Sequence, residues 1–185
     1  MRRLFVLILM AVSCAVAGPT LAQVQDDVVV TGGTAAPDNE EESRRVREAM
    51  AYANALPPGA PENDYSLVAW CEALVTGHVR VGESLGSDDE LDLRIIALGR
   101  TEAETFLAAL EAGRAAQSPE ALAEAEAAAE GARRMWAPIL AGDAVQRDQT
   151  FGLFFGLPGR CEHAARRITL GITAPPPTLA DVGLE

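Results

Sequence analysis

Two histidines and three cysteines hold most of the metal-binding and nucleophilic chemistry in this sequence: His78, His163, Cys14, Cys71 and Cys161. Cys71-Glu72 with His78 seven residues on, and Cys161-Glu162-His163, are residue types that bind zinc or copper. On a helix Cys71 and His78 share a face, but residues two apart such as Cys161 and His163 point about 200° from each other and do not converge. No Cys-x-x-Cys, Cys-x-x-Cys-His or His-Glu-x-x-His occurs. A Ser/His/Asp elbow, a phosphate loop, a dinucleotide fingerprint and an Asp/Asn/Gly calcium loop are missing from the sequence as well. No metal or cofactor is expected. The stronger reading of Cys71 and Cys161 is a disulfide, and an enzyme of unknown reaction stays behind a binding role.

Three other groups could touch a ligand or partner. Trp70, His78 and Trp136 fall on apolar helical stripes. They read first as core, with His78 bonded to a nearby carbonyl, and second as the lining of a small-ligand cavity. Phe151-Gly152-Leu153-Phe154-Phe155 is the densest aromatic patch. It either plugs the bundle beside Trp136 or stands exposed as a surface for another copy or a membrane. Arg160, Arg166 and Arg167 are expected to pair with surface carboxylates for little net stability. The Glu clusters at 40–42, 102–104 and 124–130 read as solvated helix faces.

The composition narrows the class. The chain has 185 residues, 15 basic against 27 acidic, and a net charge of −12. Every basic residue is arginine, and 34 residues are alanine. This balance argues against nucleic-acid binding, which needs a basic surface to displace phosphate counterions. A hydrophobic share of 49% is too high for a disordered chain.

The N-terminus has the layout of an export signal. Met1-Arg2-Arg3 is followed by an apolar run from Leu4 to Val12, and Thr20-Leu21-Ala22 offers a cleavage site. The run falls short of the ~20 residues of a permanent span. The alternative is lipidation at Cys14, where Ala11-Val12-Ser13-Cys14 loosely follows a lipobox with Ala in place of the usual Leu. Cleavage after Ala22 leaves Cys71 and Cys161 as an even pair, which reads as a disulfide in an oxidising periplasmic or extracellular compartment. Residues 23–39 read as a flexible linker. Within it, Asp27-Val28-Val29-Val30-Thr31-Gly32 resembles the N-terminal segment of TonB-dependent receptors, but the chain has no pattern for the barrel such a receptor needs. A loose tether is the first reading, and strand addition to a partner's sheet the second.

From residue 40 the pattern is helical. Asp38 is placed to cap a first helix opening on Glu40-Glu41-Glu42, with Val46, Met50, Ala53 and Leu56 as its apolar stripe. Pro57-Pro58-Gly59 ends it. A second begins near Asn63 or Asp64. Its stripe of Leu67, Trp70, Cys71, Leu74, His78, Val81 and Leu85 is widened by Val68, Val75 and Val79, so it is expected at the centre. Gly86 stops it. Ser87 is placed to cap a third helix reaching Ala116, buried through Leu91, Ile95, Leu98, Phe106, Ala109 and Leu110. Ser118-Pro119 opens a fourth with Leu122, Ala125, Ala129, Ala132, Trp136 and Ile139 inward, and Pro138 is expected to kink or end it. Asp143 caps a fifth helix through Phe155, and a last one covers Arg160 to Leu170. The prediction is an all-α bundle of five to six helices over 40–172, followed by a Pro-rich tail over 173–185.

With the cysteines placed, Asn63-Asp64-Tyr65-Ser66-Leu67-Val68-Ala69-Trp70-Cys71, Gly77-His78 and Leu157-Pro158-Gly159-Arg160-Cys161-Glu162 resemble segments of uncharacterised small exported helical proteins of alphaproteobacterial type. The resemblance spans 60–170 loosely and implies export, a helical fold and paired cysteines. It implies no activity. The resulting expectation is an exported periplasmic or envelope protein with a non-catalytic binding or structural role and an unknown envelope partner. A small-ligand carrier with an apolar cavity near Trp70 and His78 is the alternative. A homo-oligomer formed through Phe151, Phe154 and Phe155 is compatible with the first reading.

Overall fold

The computed structural model describes residues 40–153 and 156–185. The expected export signal, Cys14, the expected linker with Val28-Val29-Val30 and Asp38, Phe154 and Phe155 lie outside these residues. The described residues form six α-helices: α1 (Glu40–Ala53), α2 (Asp64–Leu85), α3 (Glu90–Gly113), α4 (Pro119–Ala141), α5 (Ala144–Leu153) and α6 (Arg160–Thr169). Two 3-10 turns, Arg114–Ala116 and Ala180–Val182, follow α3 and close the tail.

Local chemistry sets the helix ends. Asn63 caps α2 by accepting from the Ser66 amide at 2.8 Å. Gly86 ends it in the left-handed region at φ 61, where a side chain would be strained. Asp89, two residues beyond the expected Ser87, caps α3 by accepting from the Leu91 amide at 2.8 Å, while Ser87 Oγ accepts from the Asp89 amide. Ser118 caps α4 with Pro119 in its first turn, and Asp143 accepts from the Gln146 amide at the head of α5. Pro138 does not stop α4, which runs on to Ala141. Its missing amide costs one backbone bond in a final turn that packing on both sides of it, through Trp136 and Ile139, still holds.

α2 is the axle of the fold. α3, α4, α5 and α6 all pack against it, and fifteen of its twenty-two residues are buried. Close approach depends on glycine. A Cβ on Gly77 would sit 2.0 Å from the Trp136 ring of α4, and one on Gly82 would sit 2.4 Å from the Phe151 ring of α5. The helix-spanning disulfide joins Cys71 of α2 to Cys161 of α6, 90 residues apart with Cα atoms 6.2 Å from each other. Both sulfurs belong to the core, with 0% and 1% exposure.

Two expected stripes hold only in part: on α3 Phe106 and Ala109 are buried and Ile95 and Leu110 half-buried, and of the stripe expected for α1 Val46 and Leu56 are half-buried. On α3, Leu91 and Leu98 are 59% and 64% exposed, and the buried line is Ile96, Gly99, Ala103, Phe106, Ala109 and Gly113. Small residues win this face because α2 and α6 approach it closely. A Cβ on Gly99 would meet Val79 at 2.7 Å, and one on Gly113 would meet Ile168 at 2.4 Å. On α1, Met50 is half exposed and Ala53 exposed, while Glu48 and Ala49 are buried. That helix turns a charge inward because its partner on α6 is an arginine.

Candidate functional site

His78, Trp136 and Phe151 meet where α2, α4 and α5 converge. The His78 ring stacks on Phe151 with centroids 4.7 Å apart and lies 6.1 Å from the Trp136 ring. Its Nε2 donates to the Phe151 carbonyl at 3.0 Å. That carbonyl lies in the last turn of α5, where main-chain acceptors lack helical donors, so the imidazole serves as a helix-end cap supplied from another helix. Burial holds the His78 pKa below the ordinary histidine value, opposed by this hydrogen bond. Gly77 makes the cluster possible, because its bare backbone is the floor under Trp136. Phe151 is thus a core plug rather than an exposed patch residue.

Trp70 is 4% exposed and His78 5%, both inside the main core cluster or against it. Cys71 and Cys161 are spent on each other. His163 faces a different side from Cys161: it is buried beside the charges of Glu48, Arg47, Glu162 and Arg166, and burial again lowers its pKa. Among the described residues no group of three His, Cys, Asp or Glu side chains is arranged to hold a metal ion.

The densest polar construction was not expected. Arg167 is 7% exposed and pairs with Glu48, which is 5% exposed, at 2.9 Å. The same guanidinium approaches Asp64 at 3.4 Å and donates to the Ala174 carbonyl of the tail. Arg160 approaches Asp64 at 3.5 Å, donates to the Glu62 carbonyl, and lies 4.5 Å above the Tyr52 ring. Tyr52 donates its hydroxyl to Asp64 at 2.8 Å. Burial first, then the Asp64 hydrogen bond and charge, push the phenol well above its usual pKa and keep it protonated. Two carboxylates, two guanidiniums and a phenol thus interlock α1, α2, α6 and the tail. The expectation of surface pairs for Arg167 is corrected, since the guanidinium is desolvated and reaches two carboxylates across the fold. The signal available beforehand was Arg160 and Arg167, seven apart and so on one helix face, with no partner of their own on that face.

On the outside, α3 and α4 both pack on α2 but scarcely on each other. The gap between them holds two depressions of about 380 and 250 Å³, and a third of about 250 Å³ adjoins them along α2 and α3 without reaching α4. Neighbouring ones share lining residues, Glu72, Leu107 and Arg133 for one pair, and Thr76, Arg80 and Leu107 for the other. The floor is the uncovered flank of α2. A separate groove of about 500 Å³ lies between α3 and α6 over Phe106, Ala165 and Leu170. Glu102 and Glu162 stand at its edge; burial and then the charge of Glu162 raise the Glu102 pKa. Neither Trp70 nor His78 lines any of these four clefts.

No family model, curated protein or solved structure matches the chain. No helix among the described residues is long and apolar enough to cross a membrane.

Proposed function

We propose that this is an exported, disulfide-stapled helical protein of the bacterial envelope that works by binding or by structural contact rather than by catalysis. The observation that carries the reading is the buried Cys71–Cys161 bridge, which ties residues 90 apart across the core. A bridge of this kind suits an oxidising compartment, and the signal-like N-terminus leads there. The resemblance of the two cysteine segments to exported alphaproteobacterial proteins supports the same placement. The role of His78 as a packed cap on α5, and the uncovered flank of α2 between α3 and α4, favour contact over chemistry. A carrier is the second reading, favoured by the volume of the α3–α6 groove, which lies within the range of small-ligand sites. It moves the ligand away from Trp70 and His78.

The test is intact-mass analysis of the protein recovered from its own host, run under both denaturing and native conditions. The expected denatured species starts at Gln23 and resists alkylation until reduced. A full-length cytoplasmic species with three free thiols overturns the export reading, and a lipid adduct on Cys14 replaces cleavage at Ala22 with anchoring. Under native conditions a bound small molecule lost on mutating Phe106 moves the role from contact to carriage.

A further inference from the structure

The groove of about 500 Å³ between α3 and α6 has an apolar floor and an ionic edge. Phe106 and Ala165, which line it, are core residues at 2% and 3% exposure, so its floor is the packed interior itself. Leu170, at the end of α6, adds an exposed apolar surface. Thr105 and Thr169 line the walls, and each donates its hydroxyl at 2.9 Å to a carbonyl of its own helix, that of Thr101 and that of Ala165. With both hydroxyl protons committed, the side chains that remain to orient a ligand are charged: Glu102, Glu162 and Arg166.

These charges do not cancel. Among the described residues no ion pair includes Glu102, Glu162 or Arg166, although Arg166 follows Glu162 at the four-residue spacing of helix ion pairs. The two carboxylates act on each other instead, since burial and then the charge of Glu162 raise the Glu102 pKa. Two carboxylates against one guanidinium leave the edge with an excess of negative charge. The groove also ends at the last turn of α6, where the helix dipole is negative. A net charge of −12 draws cations toward the protein as a whole. A bare metal ion is a poor match, because no group of three ligating side chains is present among the described residues and the apolar floor would stay uncovered.

We propose that the α3–α6 groove is a binding site for a small organic cation, an aromatic or alkyl body carrying a protonated amine. The body covers Phe106 and Ala165, and the ammonium lies at the edge with Glu102 and Glu162. Each half of such a ligand meets what the groove presents. Its apolar part removes the exposed floor from water, and its charge relieves the repulsion between the two carboxylates. A neutral ligand of the same shape gains only the first term, and an anion adds to the repulsion. This names a ligand class for the carrier reading and rests on that reading rather than on the contact role.

Tryptamine, cationic at neutral pH, is the probe, with tryptophol and indolepropionate as neutral and anionic analogues on the same ring. Each is titrated into the isotopically labelled full chain and followed by amide chemical shifts. Saturable shifts are expected for tryptamine around Glu102, Phe106 and Ala165, with tryptophol binding about fivefold more weakly or worse and indolepropionate weakest. Glu102→Gln together with Glu162→Gln keeps both side-chain lengths at exposed positions and should bring tryptamine and tryptophol to equal affinity. Arg166→Gln should tighten tryptamine. Raising the salt concentration on the unmodified protein should narrow the gap between the two ligands by screening, which keeps the proposal testable if the double variant does not fold. Equal binding of tryptamine and tryptophol at low salt, a gap that survives both glutamine substitutions or high salt, or weaker tryptamine binding in Arg166→Gln overturns the cation assignment and leaves carriage standing. Shifts that are absent for all three probes, or that fall elsewhere on the protein, overturn the proposal and remove the groove's support for carriage as well.

Discussion

Arg167→Met removes the guanidinium at the centre of the polar clasp and leaves its aliphatic volume in place. Glu48 then keeps a carboxylate whose side chain is 7% exposed, with the 2.9 Å charge partner gone. Removing one member of a buried pair costs about 3–5 kcal/mol. The Ala174 carbonyl loses its donor as well, and Asp64 keeps Arg160 and the Tyr52 hydroxyl. Against a total stability of about 5–15 kcal/mol this is a large fraction. At about 2–4 °C per kcal/mol for a chain of this size, the melting temperature falls by roughly 6–20 °C. Glu48→Gln costs less, about 1–3 kcal/mol, because an uncharged acceptor remains and Arg167 still has Asp64 at 3.4 Å. Adding Glu48→Leu to Arg167→Met recovers part of the loss, since no uncompensated charge is left at that contact. Urea unfolding followed by circular dichroism gives all three values and, with the Glu48→Leu single variant added, the coupling energy. An Arg167→Met loss under about 1 kcal/mol, the range of exposed pairs, or a double variant no better than the single one, refutes the assignment of a desolvated, mutually dependent pair.

Gly77→Ala drives a methyl group into the Trp136 ring, where 2.0 Å is available, and should cost at least the ~1–3 kcal/mol of core overpacking with a change in near-ultraviolet circular dichroism; a neutral effect would mean that α4 does not rest on α2 there. Cys71→Ser with Cys161→Ser opens a connection spanning 90 residues and should lower stability by up to about 4–5 kcal/mol, read as a urea midpoint shift that reduction of the parent protein reproduces; an unchanged midpoint would remove the bridge from the stability of the core. His78 and His163 both have pKa values lowered by burial, so the unfolded chain binds their protons more readily than the folded one. Stability is therefore full above about pH 6.5 and declines as the pH falls below it, and the urea midpoint at pH 5.5 should lie below that at pH 7.5. A midpoint independent of pH across that interval contradicts the buried, neutral imidazoles.

How far this fold can be read from residues depends on which force places each one. Apolar periodicity named α2 as the axle because its stripe is too wide to be covered by a single neighbour, and burial from Tyr65 to Gly82 follows that arc. Oxidative pairing joined Cys71 to Cys161 because these are the two cysteines outside the expected export signal. Periodicity found Phe106 and Ala109 on α3 but misled at Leu91 and Leu98 because it ranks leucine above glycine: the buried line also runs through Gly99, Ala103 and Gly113, where closeness matters more than hydrophobicity, and the two leucines are left outside. On α1 it misled for a different reason. Hydrophobic patterning has no term for a glutamate that turns inward to meet an arginine more than a hundred residues away, and Glu48 has no local feature to distinguish it from Glu41 or Glu42. The same blindness hid the clasp, whose members come from α1, α2 and α6 and are legible only once α6 lies antiparallel to α1, with Ala51 beside Gly159 at one end. Long-range polar pairs are thus the part of this molecule that sequence pattern leaves unwritten, and the contact that holds α1 to α6 is built from them.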